Sequence, residues 1–453
     1  MNGVVTETEL RAVLAKRDVL PSRKLGQNFL VDENSARWIV DQLELGPEDV
    51  VVEVGPGVGA LTEHVVGRVK RVILIEYDRR LAGYLDEKFG GEPGVEIYHQ
   101  DAVGFDVRGL FAAGPVKLLG NLPYSAGGAI LRTFLKAPTP VARAVLMLQK
   151  EMIERILAKP RTKAYGVLSL RMQAFWEGEA VKIVPPECFF PRPQIDSTVM
   201  KIRPRTEELP VFDYRLFDEL VRRGFAQRRK KLVKNLPPEL LAEDHLEAMG
   251  LSLDCRAEEL SVDEWVDLTR RLDPLFVKDE GQRADERLAV VDENDEVVRA
   301  ERRDVIHGEG LMHRAVHVFV LNKRDEVFLQ KRSRLKDLCP GLWDSSAAGH
   351  VDEGEDYGTC AVREVEEELG LKGVVPQEMA RLSAGEDTGW EFVRLFALRS
   401  DGPLRFPCGE VETGGWFSFE LVSHWVGERP EDFAPGFLRC WGLWVDLVGE
   451  REG

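Results

Sequence analysis

Strand signals in this 453-residue chain fall in two separate stretches, and from residue 211 to 272 helical periodicity replaces them. A break of that length, in a chain longer than one hydrophobic core usually organises, implies more than one domain. Before the break, VVEVG, RVILIE, VEIYHQD, VKLLGN, RAVLMLQ and STVMKIRP read as strands alternating with amphipathic segments. That alternation is the signature of an α/β sheet with crossover helices. Within the break, FDYRLFDELVRRGFAQRRKKLVKNL reads as helical up to Pro237-Pro238. After it, RLAVVDENDEVV reads as a hairpin turning at Asn294-Asp295, and AVHVFVLNKRDEVFLQKRS as further strands. The expected organisation is an α/β domain over 1–208, a small all-helical domain over 209–274, a charged linker over 275–284 and a second α/β domain over 285–453. No internal repeat links the two strand-rich parts.

The composition, 44% hydrophobic and 31% charged, is that of a globular protein. No apolar run reaches the roughly 20 residues of a membrane span, and the N-terminus lacks the apolar core of a signal peptide. A cytoplasmic monomer that does not engage a membrane is expected. The six cysteines, Cys188, Cys255, Cys339, Cys360, Cys408 and Cys440, are scattered and read as reduced thiols. The net charge of -17 is divided unevenly. Residues 131–235 carry 22 basic against 11 acidic side chains, densest at Arg222, Arg223, Arg228, Arg229, Lys230 and Lys231. A single-signed cluster of this kind suits phosphate neutralisation on a nucleic acid. The acidic C-terminal part does not.

In the first α/β part, Glu53-Val-Gly55-Pro-Gly57-Val-Gly59 closes a strand and opens a helix, and Glu76 ends the next strand, placed to bind ribose hydroxyls. This pattern also satisfies a dinucleotide fingerprint, with Ala60 as the last small residue, so a nicotinamide or flavin enzyme is a rival at this point. Asp101 follows the next strand, where its carboxylate can accept the adenine amino group of S-adenosylmethionine. Asn121-Leu122-Pro123-Tyr124 follows another. The exocyclic amine of a base is a poor nucleophile because its lone pair is delocalised. The amide oxygen of Asn121 and the carbonyl of Leu122 can accept its two N–H bonds and hold the nitrogen toward a methyl donor. Pro123 fixes the direction of that carbonyl, and Tyr124 can stack on the base.

LGQNFL (25–30), EVGPGVGALT, the Glu76 strand end, QDA (100–102), GNLPY, LQKE (148–151), KAYG (163–166), FFPRPQIDSTV (189–199) and FAQRRKKL (225–232) occur in order. Together they resemble the small-subunit ribosomal RNA adenine dimethyltransferases, the kasugamycin-sensitivity methyltransferases, over roughly residues 15–272. The resemblance implies a Rossmann-like class I methyltransferase fold with a small helical RNA-binding domain. It implies dimethylation at N6 of two adjacent adenosines in the 3′-terminal helix of 16S rRNA, in the immature small subunit, with S-adenosylmethionine as donor. It also implies Asn28, Leu30, Gly55, Glu76, Asp101 and Asn121 as donor-binding residues, with Tyr124 and Phe189 sandwiching a flipped adenine. After NLPY the family continues with a polar residue and Ile, whereas Ser125-Ala126-Gly127-Gly128 follows here, which loosens the expected base pocket. The large-subunit methylases of erythromycin-resistance type share most donor motifs. The basic FAQRRKKL segment, read as a helix, and FFPRPQIDS favour the small-subunit family.

The second α/β part carries GHVDEGEDYGTCAVREVEEELGL over residues 349–371. On a helix Glu364, Glu367 and Glu368 fall at i, i+3 and i+4 and converge on one face. Carboxylates so crowded repel unless a hard divalent cation such as Mg²⁺ or Mn²⁺ neutralises them, and such an ion can bridge a diphosphate and activate water. The run resembles the Nudix box at every defining position, which implies an α/β/α sandwich. It implies Glu364, Glu367 and Glu368 as metal ligands with Gly349 offering a carbonyl, catalysis by Glu367 and Glu368, and Arg363 and Glu355 organising the loop. HRAVHVFVLN, LQKRS, PGLWDSS and GGWFS resemble the branch that contains isopentenyl diphosphate isomerase, whose basic diphosphate contacts match Arg332 and Lys336. That enzyme's catalytic cysteine falls at Ala348, which disfavours isomerisation and leaves hydrolysis of a small-molecule diphosphate. Glu391, Glu410 and Glu412 are candidates for an outer carboxylate. A different class of reading makes the first part a ribosome-assembly binding factor and the second a ligand sensor.

Overall fold

The computed structural model describes residues 6–21, 27–123, 125–240, 242–276 and 286–452. Leu25, Gly26 and Tyr124, and residues 277–284 of the expected linker, lie outside them. The chain divides into two compact units. One comprises 1–209, 220–239 and 250–265, the other 210–219, 240–249 and 266–453. The helical stretch is shared between them.

The first unit is built on seven strands: β1 (Val50–Val54), β2 (Arg71–Glu76), β3 (Val95–His99), β4 (Val116–Asn121), β5 (Val141–Gln149), β6 (Trp176–Val184) and β7 (Ser197–Pro204). Their order across the sheet is β3-β2-β1-β4-β5-β7-β6. The first five are parallel, and β7 runs antiparallel between β5 and β6. Central parallel strands are covered on both faces, which explains the uninterrupted apolar run of β1, buried at every position. Val52, Val54, Leu118 and Phe134 fill the core on one face, and Val51, Leu74, Leu119 and Ile39 on the other. This is the Rossmann-like methyltransferase arrangement, with β1 and β4 ending side by side at the sheet's centre. Strand β6 escaped the sequence reading. It is an edge strand whose middle, Gly178-Glu179-Ala180, is exposed, so it lacks the apolar alternation that marks a half-buried strand.

One expectation is corrected. The helix Tyr214–Gly224 stops at Gly224, and the basic segment that follows is a series of turns ending in a short 3₁₀ turn, Leu232–Lys234, not a helix. A Cβ at Gly224 would lie 2.6 Å from the Trp265 ring, so only glycine lets that indole pack where the chain turns. Arg228, Arg229, Lys230 and Lys231 therefore sit on a loop.

The second unit contains a nine-stranded mixed sheet. Its central strand, β8 (His313–Leu321), pairs parallel with β10 (Glu391–Arg399) and antiparallel with β9 (Ala347–His350). The expected hairpin joins Arg287–Val291 to Val297–Arg302, with Asp295 in the left-handed region at its turn. Alternation along β8 produces the sandwich. Val316, Val318 and Val320 pack on Cys360, Ala361, Val365 and Leu369 of the helix Tyr357–Leu369. On the other face Phe319 packs edge-on against Phe437, Trp441 and Trp444 of the helix Pro435–Glu452. No described helix is long and apolar enough to cross a membrane.

Candidate functional site

In the first unit a cavity of about 300 Å³ opens at the ends of β1, β2 and β4. Asn28, Leu30, Gly55, Glu76, Asp101 and Asn121 all line it, so six residues distant in sequence converge as expected. The loop after β1 turns through Gly55, Gly57 and Gly59 at φ 68°, 61° and 83°. A side chain at Gly57 would press on the Phe29 ring at 3.0 Å, and one at Gly59 on Phe89 at 2.6 Å. Glycine is thus required both for conformation and for clearance.

Glu76 is 5% exposed and accepts hydrogen bonds from the Gly57 and Asp78 amides at 3.0 and 2.8 Å. Burial raises its pKa, against the pull of those bonds. Sequence reasoning gave no role to Glu53, which also lines the cavity. It is fully enclosed, holds the Thr62 hydroxyl at 2.7 Å, and is pushed up to about 8 by burial, with the charge of Glu76 adding to the effect. Asp101 caps a 3₁₀ turn by accepting from the Val103 amide and remains exposed.

Asn121 donates from Nδ2 to the Asn28 carbonyl at 2.9 Å. That bond orients the amide and commits its nitrogen end, so Oδ1 is the acceptor end. Leu122 is buried and its amide is bonded to Met147, and neither Leu122 nor Phe189 lines the cavity. Phe189 is 2% exposed, paired with Leu30 across a two-residue ladder and packed in the core. It supports the cavity wall through Leu30 and is not an open stacking platform in this state.

Of the basic residues, Arg222 and Arg223 are exposed in the last turn of their helix, and Arg229 and Lys230 are exposed on the loop. Arg228 is otherwise engaged. Its guanidinium meets Glu258 at 2.7 Å and donates to the Lys163 and Thr162 carbonyls, tying the loop to the KAYG segment. Lys231 is paired with Asp254.

In the second unit a cavity of about 540 Å³ is lined by Gly349, Glu364, Glu367, Glu368, Arg332 and Lys336, among others. The helix Tyr357–Leu369 is capped by Asp356, which accepts from the Gly358 and Thr359 amides, and ends at Gly370 in the left-handed conformation. Arg363 forks onto Glu355 at 2.9 and 3.0 Å, reaches Glu364 at 2.7 Å and Glu367 at 3.2 Å, and donates to the His350 carbonyl. A Cβ on Gly349 would lie 2.0 Å from the Glu364 carboxylate, so glycine alone allows this approach. Glu364 and Glu368 are 8% and 3% exposed, and both pKa values are raised by burial, that of Glu364 also by the charge of Glu368. Two enclosed carboxylates whose pKa values stay raised although Arg363 and Lys336 stand beside them fit a divalent cation. Glu364, Glu367 and Glu368 would hold it, and it would supply charge neutralisation for a bridging diphosphate.

The two cations expected at the diphosphate are themselves held by acids. Arg332 bonds to Asp344 at 3.0 Å, and Lys336 pairs with Glu410 and lies 3.8 Å from Glu368. Glu412 faces Arg334 instead. Glu391 belongs to a cluster that sequence reasoning missed. His307, His313 and His350 bring ring nitrogens within 4.8 Å of one another, a set that could hold a metal ion, and Glu391 lies 3.5 and 3.2 Å from His313 and His350. Burial holds His350 down to about 4, while hydrogen bonds from both histidines outweigh burial and keep Glu391 below the usual carboxylate range. Three histidines spread over 43 positions carry no spacing signal. The pairing of β8 with β9 and β10 brings His313, His350 and Glu391 together, and the helix Arg303–Glu309 adds His307.

The ribosomal RNA adenine dimethylase family matches residues 21–273. The chain belongs to that family. A NUDIX domain match covers residues 311–436. Ribosomal RNA small subunit methyltransferase A of Bacillus cytotoxicus is 37% identical over 292 residues, 61% of this chain and all of that protein. Its counterpart in Francisella tularensis is 38% identical over 257 residues, 55% of this chain and 97% of that protein. Among solved structures, a dimethyladenosine transferase from Plasmodium falciparum aligns at 23% identity and TM-score 0.46, over 53% of this chain and 95% of that one. The dimethylase and NUDIX motifs thus sit inside the segments that match.

For the dimethylase unit, Glu53 sets a pH dependence. Its folded pKa is raised from 4.5 to about 8, so between those values the folded state keeps a proton that the unfolded chain has lost, and stability falls as pH rises. Glu53→Gln is expected to remove that fall, stabilising the unit by a few kcal/mol at pH 9 and little at pH 5. Urea unfolding at both pH values checks it. An equal effect at the two would show that Glu53 is ionised in the fold.

Proposed function

We propose that the dimethylase unit transfers methyl groups from S-adenosylmethionine to N6 of two adjacent adenosines in the 3′-terminal helix of 16S rRNA, acting on immature small subunits in the cytoplasm. The observation that carries this reading is the hydrogen bond from Asn121 to the Asn28 carbonyl, which leaves Oδ1 as acceptor beside the donor cavity. Oδ1 of Asn121 and the Leu122 carbonyl would take the two amino hydrogens, and Tyr124 and Phe189 would enclose the base once Phe189 is uncovered. Glu76, Asp101, Gly55, Asn28 and Leu30 would hold the donor. The small-subunit target is preferred over the large-subunit one because the curated relatives quoted above are small-subunit enzymes matched over nearly their full length. Residues 209–274 would form the RNA-binding domain, with Arg222, Arg223, Arg229 and Lys230 as its phosphate contacts. Arg228 would act indirectly, by holding the loop.

The NUDIX domain, over 285–453 after a linker at 275–284, would hydrolyse a small-molecule diphosphate with Mg²⁺ or Mn²⁺. The crowding of Glu364 and Glu368, whose pKa values burial raises even with Arg363 and Lys336 beside them, supports the metal requirement. Ala348 offers no proton-transferring thiol, so isomerisation is not favoured.

Asn121→Ala is expected to abolish methylation of immature small subunits in a labelled-donor assay while leaving donor affinity largely intact. Wild-type rates would remove the role given to Asn121. Against ADP-ribose, a dinucleoside tetraphosphate and isopentenyl diphosphate, Mg²⁺-dependent cleavage by the wild-type chain, read by chromatography of the products, should be lost in Glu367→Gln. Unchanged turnover would remove the metal role.

A further inference from the structure

Directly across the β8–β9 ladder from Ala348 stands His317. Side chains opposite one another in an antiparallel pair share a face and lie about 5 Å apart at Cβ. Ala348 contributes only a methyl to that pairing, and its amide donates to Glu368 at 3.0 Å, so the pair stands next to a carboxylate of the expected metal site. Both residues line the 540 Å³ cavity. Nothing in the Nudix box requires an imidazole here.

The ring is held for a purpose. Nδ1 lies 2.7 Å from the Ser345 hydroxyl and 3.7 Å from Oδ1 of Asp344, while the Ser345 amide donates to that same Oδ1 at 2.7 Å. One ring nitrogen is thus bound to a hydroxyl that the chain itself orients, beside a carboxylate that would stabilise an imidazolium. The other, Nε2, points toward Gly436, where a Cβ would come within 3.0 Å of it. Gly436 also lines the cavity, and without a side chain it leaves room beside that nitrogen. His317 is 6% exposed, so bulk water has little access to it.

We infer that His317 is the general base of the NUDIX domain's hydrolysis, an inference that rests on the hydrolase reading above. A water in the cavity attacks phosphorus, its oxygen forming the new P–O bond as its O–H bond breaks. The proton passes to Nε2. The P–O bond to the leaving phosphate breaks with its electron pair on that oxygen, and the imidazolium returns its proton to the leaving group or to solvent. Asp344, with Arg332 bonded to it, faces the ring, and Glu368 accepts from the Ala348 amide on the opposite strand.

The test uses the full chain and whichever of ADP-ribose, the dinucleoside tetraphosphate and isopentenyl diphosphate the wild type cleaves fastest. His317→Gln should lower kcat about 100-fold or more. It should leave Mn²⁺ affinity, read by electron paramagnetic resonance, unchanged. In His317→Ala, added imidazole should restore part of the lost rate. Turnover within threefold of wild type, no rescue of His317→Ala by imidazole, or loss of Mn²⁺ binding in both variants would overturn the inference and make His317 structural. Glu367→Gln separates the two readings, since it should lose Mn²⁺ affinity where His317→Gln does not. A wild-type chain inert on all three probes would sink the hydrolase reading itself.

Discussion

Carboxylates held out of water, their pKa values raised by burial, are the feature around which both units are arranged. An ionised carboxyl in a low-dielectric site is expensive unless paired, and the usual response is to stay protonated. Glu53 and Glu76 pay this cost in the dimethylase unit, Glu364 and Glu368 in the NUDIX domain. In each case the surrounding fold keeps the groups enclosed with hydrogen bonds that orient them: Thr62 and the Gly57 amide on one side, Gln330 and the Ala348 amide on the other. Both sites are therefore shaped in advance for a ligand that brings hydroxyl donors or positive charge.

Glycine makes these enclosures possible. Gly57 lets the loop after β1 donate its amide to Glu76 while Phe29 lies against it. Gly349 admits the Glu364 carboxylate to a distance that any side chain would forbid, and Gly436 leaves room beside His317. Local steric permission and long-range electrostatics are thus linked at the same few positions.

Much of this was legible in the sequence. The cavity residues Asn28, Glu76, Asp101 and Asn121 stand at or just beyond strand ends, or next to them, and strand ends are marked by apolar runs that stop at polar residues. The Nudix box is local, so helical spacing alone placed Glu364, Glu367 and Glu368. What was not legible depends on partners far away in the chain. Strand β6 is an exposed edge with no periodic pattern. The helix end at Gly224 is set by Trp265, 41 positions later. Arg228 counts as positive charge in the sequence, but Glu258 and two carbonyls take up its guanidinium. The meeting of His313 with His350 and the facing of His317 and Ala348 come from β8's register with its neighbours, and His307 joins the cluster from the helix Arg303–Glu309.

If the enclosed carboxylates are held ready for ligands, binding must repay their cost and stabilise the unit concerned. Differential scanning calorimetry of the full chain tests this directly. S-adenosylmethionine should raise one unfolding transition and Mn²⁺ another, each leaving the other's midpoint in place. Failure of either ligand to shift any transition, or one ligand raising both equally, would contradict the account.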